Sequence, residues 1–390
     1  MLYTRRDLGR IALATGFISG STARLMGAAK PNSLIKGVQI GVITYSYRSM
    51  PDQSAEATLK YCIDSGISAI ELMGDPVNDW ARKKGKWDSS PAAAAAAAAA
   101  ESMRAAGRGG PGARPQGTPS RRPPSYAPVA GMKTGWGNDQ PAGQWNGQAC
   151  PERRPPAPPK PAAGRPPRRE PTPEQKAARE AERKWRLGLS MDIFKELRKL
   201  YNDAGVSIYA VKDVRQETDE DLEYTFTVAR TLGASHVTLE LPSGPNAAAT
   251  LKRLGDAALK YKMFVAYHTH EQGSMTAFDE AFSLSKGNMA NIDFGHFIAN
   301  PNAGGTPMDF LKKFHSRISS CHIKDRTTVE HCALNLPWGY GETPIKEILE
   351  LISKNRWQIP ATIELEYAIP PDSDAVKEVA RCLEYCRKVL

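Results

Sequence analysis

Short apolar runs alternate with amphipathic stretches along most of the chain. "GVQIGVITYSYR" (37–48) predicts a strand, and "SAEATLKYCIDSG" a helix after it. "ISAIELMG" (67–74) predicts the next strand. The apolar positions Trp185, Leu187, Met191, Phe194, Leu197 and Leu200 then recur at helical spacing, predicting one helix that ends at Gly205. From there the same rhythm repeats to the C-terminus. Eight strands are predicted, at 37–48, 67–73, 206–212, 235–241, 263–269, 290–296, 318–324 and 361–367, and each is followed by a helical pattern.

Short apolar strands separated by helices call for a parallel sheet covered on both faces. Eight such units have the dimensions of a (β/α)8 TIM barrel, here assigned to 35–75 and 185–390. A doubly wound open sheet fits less well. Its Gly-rich phosphate turn is missing after the first strand, where the sequence reads "TYSYRSMPDQS".

The pattern fails between 76 and 180. This segment carries nine consecutive alanines (92–100), most of the chain's 30 prolines, and runs such as "PERRPPAPPKPAAGRPPRREPTPE". Proline removes backbone donors and blocks regular structure, and little apolar periodicity remains to be buried. A disordered Pro/Ala/Arg-rich insertion after strand 2 is expected, acting as a solvated spacer.

Charge sharpens this division. The chain carries +10, from 52 Lys+Arg against 42 Asp+Glu. Residues 76–180 hold 18 basic and 8 acidic residues, which leaves 34 of each elsewhere. The predicted barrel therefore lacks the basic footprint of a nucleic-acid-binding fold, and no nucleic-acid partner is expected. At the N-terminus, Arg5 and Arg6 follow Thr4, precede Leu8 and lead into an apolar stretch ending Gly27-Ala28-Ala29. Residues 1–29 resemble a twin-arginine signal peptide, which implies a periplasmic or otherwise exported protein. Arg24 interrupts that stretch, so no stable membrane anchor is expected. The six cysteines are scattered without a CxxC pair, and are read as small buried apolar residues rather than a disulfide framework. Homo-oligomerisation is left open.

In a TIM barrel the chemistry lies at the C-terminal strand ends. Those ends carry Glu71, Lys212, Glu240, His268 with His270, Asp293 with His296, His322 with Lys324, and Glu364 with Glu366. A histidine in isolation is usually a satisfied core residue. Five consecutive strands ending in carboxylate or imidazole make coincidence a weak reading. Mixed His and Asp/Glu donors suit a divalent cation such as Mn²⁺, Co²⁺, Zn²⁺ or Mg²⁺. Residues 268 and 270, 322 and 324, and 364 and 366 share strand faces, so one of each pair sits deeper, toward a metal, and the other toward substrate.

"YHTH", "NIDFGHF", "CHIKDR", "LPWGYGETPIKEIL" and "ATIELEY" resemble the sugar phosphate isomerase/epimerase family of xylose isomerase-like barrels, most strongly over 205–390. The resemblance implies a metal held by one residue from each of the last four strands: His268, Asp293, His322 and Glu364. It departs from the family pattern at strand 5, where histidine replaces glutamate, and Glu240 would compensate as base or ligand. Glu240, Glu364 and Lys324 are then the catalytic candidates, with Lys324 neutralising a developing oxyanion. Glu71, Lys212, His270, His296 and Glu366 are candidates for binding substrate, and Trp338 for offering an apolar face to a sugar ring.

Two reactions fit these parts. The first is isomerisation or epimerisation of a small carbohydrate, by proton abstraction next to a metal-polarised carbonyl. The second is β-elimination from a keto-glycoside at the same site, a metal-dependent lyase or hydratase reaction. A metal-dependent endonuclease would need a basic rim, and a non-catalytic barrel would show a broken ligand set.

Overall fold

A computed structural model describes residues 30–105, 142–145, 148–150 and 171–390. Eight parallel strands close into a barrel: β1 (Val38–Ile43), β2 (Ala69–Met73), β3 (Ser207–Lys212), β4 (His236–Glu240), β5 (Phe264–His268), β6 (Asn288–Asp293), β7 (Ile318–Ile323) and β8 (Ala361–Ile363). Each pairs with its sequence neighbour, and β8 returns to β1 through Ala361–Ile40 and Ile363–Val42, so no edge is left open. Every predicted strand is present with shorter bounds, except that the sixth, expected at 290–296, starts earlier at Asn288 and gives way after Asp293 to a helix that contains His296. A two-residue strand at Leu34–Ile35 pairs antiparallel with β1.

The helices are α1 (Ala55–Asp64), α2 (Gly74–Lys84), α3 (Pro91–Ala105), α4 (Pro173–Leu187), α5 (Asp192–Asp203) and α6 (Asp219–Leu232). After them come α7 (Ala247–Lys260), α8 (Asp279–Leu284), α9 (Phe294–Ile298), α10 (Pro307–Phe314), α11 (Ile345–Asn355) and α12 (Ala375–Val389). Their starts follow local chemistry. Ser54, Thr218 and Asp374 each accept a backbone N–H in the first turn of α1, α6 and α12. Thr306 and Asp309 close a capping box on α10, with Pro307 at its first position. The single helix expected up to Gly205 is two helices, because α4 stops at Gly188 and α5 starts afresh at Asp192.

Strand alternation separates two environments. Outward residues such as Val38, Ile40, Ile70, Val237, Val265 and Ile292 are buried against the helices. The barrel interior is instead polar. Tyr209 Oη lies 2.7 Å from Thr362 Oγ1, and Gly41 leaves room for that ring, since a Cβ there would stand 2.7 Å from it. His236 Nε2 lies 3.0 Å from Ser320 Oγ, and burial holds this imidazole neutral, its pKa pushed down to about 4. The β2–β3 register slips by one residue after Ile70, an irregularity that allows Tyr209 and Lys212 both to face inward.

Disorder across 76–180 is corrected where the region is described: α2 and α3 occupy its beginning and α4 its end. The alanine run does have a buried face, because Ala92 and Ala99 lie two turns apart on one side of α3, which packs against α4. The interior of the insertion and the signal expected at 1–29 lie outside the described residues. Reading all six cysteines as unpaired is also corrected. Cys150 and Cys332 form a disulfide with Cα atoms 5.1 Å apart, stapling the insertion to the loop after β7. A separation of 182 residues and the absence of a spacing motif hid the pair from the sequence. Cys62, Cys321, Cys382 and Cys386 are buried thiols, as expected.

Cross-linking restricts the unfolded chain, so Cys150→Ser is expected to lower stability by about 2–4 kcal/mol. Denaturant midpoints of the wild type with and without reductant would show it, and coincident midpoints would contradict it. No helix among the described residues is long and apolar enough to cross a membrane.

Candidate active site

Glu71, on β2, lies at the base of the site and is completely buried. Its carboxylate accepts hydrogen bonds from Thr238 Oγ1 (2.6 Å) and Asn291 Nδ2 (3.2 Å), and lies 2.9 Å from His322 Nε2. The other ring nitrogen of His322 lies 3.1 Å from Glu364 Oε2. Flanked on both sides, the ring is held as an imidazolium that donates twice. Burial alone would favour its neutral form, but the two carboxylates outweigh burial and raise its pKa to about 10. Burial likewise opposes ionisation of Glu71, and His322 overrides it, bringing Glu71 down to about 2.

His268, at the end of β5, lies beside His322 with the rings tilted and their centroids 4.5 Å apart. Its Nδ1 donates to Asn291 Oδ1 at 3.0 Å, which leaves the Nε2 lone pair for another partner. Burial keeps this ring neutral, its pKa well below the ordinary histidine value. Asp293 ends β6 and caps α9 by accepting the His296 N–H at 2.8 Å through Oδ1. Its Oδ2 is buried and faces the Lys324 ammonium at 2.9 Å. Burial raises the Asp293 pKa to about 6, with Lys324 pulling the other way.

His268, Asp293, His322 and Glu364 each offer an atom within 4.8 Å of the others. These are the four ligands implied by the family resemblance. The neutral His268 imidazole with its free nitrogen and the Asp293 and Glu364 carboxylates fit a divalent cation, and His322 would join them by giving up the proton it directs at Glu364, since a ligating imidazole nitrogen must be deprotonated. Glu240, His268 and His270 form a second such group, which shares His268. With Nδ1 committed to Asn291, His268 has one lone pair and can serve only one group at a time.

Above the cluster opens a cavity of about 370 Å³. Lys212, Glu240, His270, His296, Glu364 and Glu366 line it. Glu240 and His270 are half-exposed at its mouth, where Glu240 lies 2.9 Å from Lys212 Nζ and 3.4 Å from His270 Nδ1. His296 accepts a hydrogen bond from Arg326 Nη1 at 2.6 Å through Nδ1. A guanidinium only donates, so a neutral His296 carries its proton on Nε2, which is buried without a hydrogen-bond partner.

Three expected site residues lie elsewhere. Glu71 does not line the cavity; it is bonded beneath the cluster, where it orients and charges His322 instead of binding distal hydroxyls. Lys324 does not face the cavity either. Its ammonium is buried 2.9 Å from Asp293 Oδ2 and 2.7 Å from both Glu364 Oε2 and Glu366 Oε2, so it is already neutralised by carboxylates. Trp338 packs edge-on against Tyr385 of α12, with ring centroids 6.0 Å apart, and offers no face to the cavity.

Arg326 and Asn291 were missed. Arg326 is fully buried by its fold neighbours yet reaches the cavity wall, where Nη2 donates to the Ala333 carbonyl at 2.8 Å. Its position four residues after His322 gave no periodic signal, because the chain leaves the strand at Lys324. Asn291 was legible in principle. It sits two residues before Asp293, on the same inward strand face.

No protein-family model matches the sequence, and no curated protein matches it. Solved structures do. A sugar phosphate isomerase/epimerase from Parabacteroides distasonis is 12% identical with a TM-score of 0.50, over 93% of this chain and 97% of that one. A second structure with that description from the same organism is 14% identical, TM-score 0.45, over 89% and 96%. A probable 3-DHS dehydratase involved in petrobactin synthesis in Bacillus anthracis is 11% identical, TM-score 0.48, over 90% and 98%. The first likeness agrees with the fold described above, a TIM barrel.

Proposed function

We propose that the protein is an exported, divalent-metal-dependent sugar isomerase or epimerase that moves a proton next to a carbonyl. The observation that carries this reading is the convergence of His268, Asp293, His322 and Glu364 within 4.8 Å beneath a cavity walled by charged and polar side chains. Such walls suit a polyhydroxylated substrate better than an apolar one. When bound, a divalent cation supplies Lewis-acid polarisation of the carbonyl and its neighbouring hydroxyl.

The remaining work falls to the chain's own side chains. Glu364 is a poor base as it stands: burial would raise its pKa, but Lys324 and His322 hold it well below the ordinary carboxylate range. Glu240, exposed at the mouth beside Lys212 and His270, is the better-placed proton acceptor. His296, with its proton on Nε2, is the group to return a proton or donate to a substrate oxygen. Lys212 supplies a positive charge at the cavity wall.

The same His296 proton favours a second reading, β-elimination from a keto-glycoside, in which it would pass to the departing oxygen. The disulfide supports an exported location, since such bonds persist in oxidising compartments. The test is turnover of ketoses and keto-glycosides in D₂O with Mn²⁺, Co²⁺, Zn²⁺ or Mg²⁺. Deuterium should enter the carbon next to the carbonyl, and Glu240→Gln should slow this at least about a hundredfold. Interconverted sugars mean isomerisation and a released aglycone means elimination. No exchange with either class would sink both.

A further inference from the structure

The Lys324 ammonium stands among the carboxylates that the metal reading needs. It is 2% exposed, and two of its three carboxylate partners, Asp293 and Glu364, belong to the four-residue cluster. The third, Glu366, lies outside that cluster at 2.7 Å. Its stem is built into the fold. A Cβ on Gly295 would fall 2.2 Å from Lys324 Cγ, so the glycine after Phe294 is what lets the lysine lie there. Without the lysine, Asp293, Glu364 and Glu366 would face one another across a buried space with no ammonium among them, offset only from its edges by His322, Lys212, Arg48 and Arg326, an arrangement that Coulomb repulsion opposes.

We propose that Lys324 is a resident counter-cation of the carboxylate basin, and that a divalent ion binds there only in competition with its ammonium group. The proposal rests on the metal reading and adds a determinant of affinity to it. An ammonium and a dication cannot both engage the same oxygens of Asp293 and Glu364, because like charges at that range repel strongly in a buried site. Loading must therefore break those two contacts, while Glu366 still offers the ammonium a partner. The lysine thus keeps the empty basin neutralised and folded, at a cost in metal affinity.

Titration calorimetry of the chelator-treated full-length protein with Mn²⁺ and with Zn²⁺ tests this. Lys324→Met keeps the stem and removes the charge, and is expected to bind at least about tenfold more tightly than the wild type. Equal or weaker binding overturns the proposal. Should the variant fail to fold, amine labelling of the wild type read by mass spectrometry decides it. Lys324 should label several-fold faster in the Mn²⁺-loaded protein than in the metal-free one, relative to surface lysines such as Lys60 and Lys199. Unchanged or reduced labelling overturns it. If the wild type binds and His322→Ala does not, a failure with Lys324→Met removes only the lysine's role. If the wild type binds neither ion, the metal reading fails as well.

Discussion

His322→Ala is expected to lose at least about a hundredfold in affinity for divalent metal, and elemental analysis of the purified variant should find the ion depleted relative to wild type. His322 is the central member of the cluster, with Glu71 on one side and Glu364 on the other. Alanine removes a ligand, and it also strands two buried carboxylates without the positive charge between them. Breaking a buried ion pair in this way costs about 3–5 kcal/mol, so the variant should also melt earlier. His322→Gln separates the two effects. It can donate to one of the carboxylates and restore part of the stability, but it does not restore an imidazole ligand. Equal metal in wild type and His322→Ala would remove His322 from the metal centre.

In the absence of metal, stability should fall steeply as the solution is made alkaline. Burial disfavours the His322 imidazolium, yet Glu71 and Glu364 raise its pKa from 6.5 to about 10. Below pH 6.5 the folded and unfolded chains both hold this proton, and the stabilisation is fully present. Between 6.5 and about 10 the unfolded chain has released it while the folded chain still binds it, so each step up in pH favours unfolding. The loss is complete once the pH passes the folded value, and amounts to a few kcal/mol. Thermal melts in chelator at pH 7 and pH 10 measure it, with His322→Gln as the control whose slope should flatten. Parallel slopes for the two proteins would show that the imidazole is not held charged between Glu71 and Glu364.

Local sequence was enough for the scaffold and for much of the centre. Each barrel strand is a short apolar run bounded by helix signals, and such a run can be buried only between helical layers. Strand ends were readable because alternation puts 268, 322 and 364 on the inward face, and the topology brings inward faces at one end of the barrel to a common mouth. Trp338 shows the limit. It lies in a loop, where no periodicity states which way a side chain turns, and it turned toward Tyr385.

The sequence by itself therefore determined the barrel and the polar strand ends that gather at one mouth of it, and its resemblance to a known family singled out the four residues that can share a metal. Only the tertiary structure decided how the charges there are paired: His322 between two carboxylates, Lys324 turned down among three, Glu71 beneath rather than beside the cavity, and Arg326 behind His296. It also decided that Cys150 meets Cys332. The reason is common to all of these. Which donor meets which acceptor depends on distances between residues tens to hundreds of positions apart, and no local pattern of hydrophobic and polar residues encodes those distances.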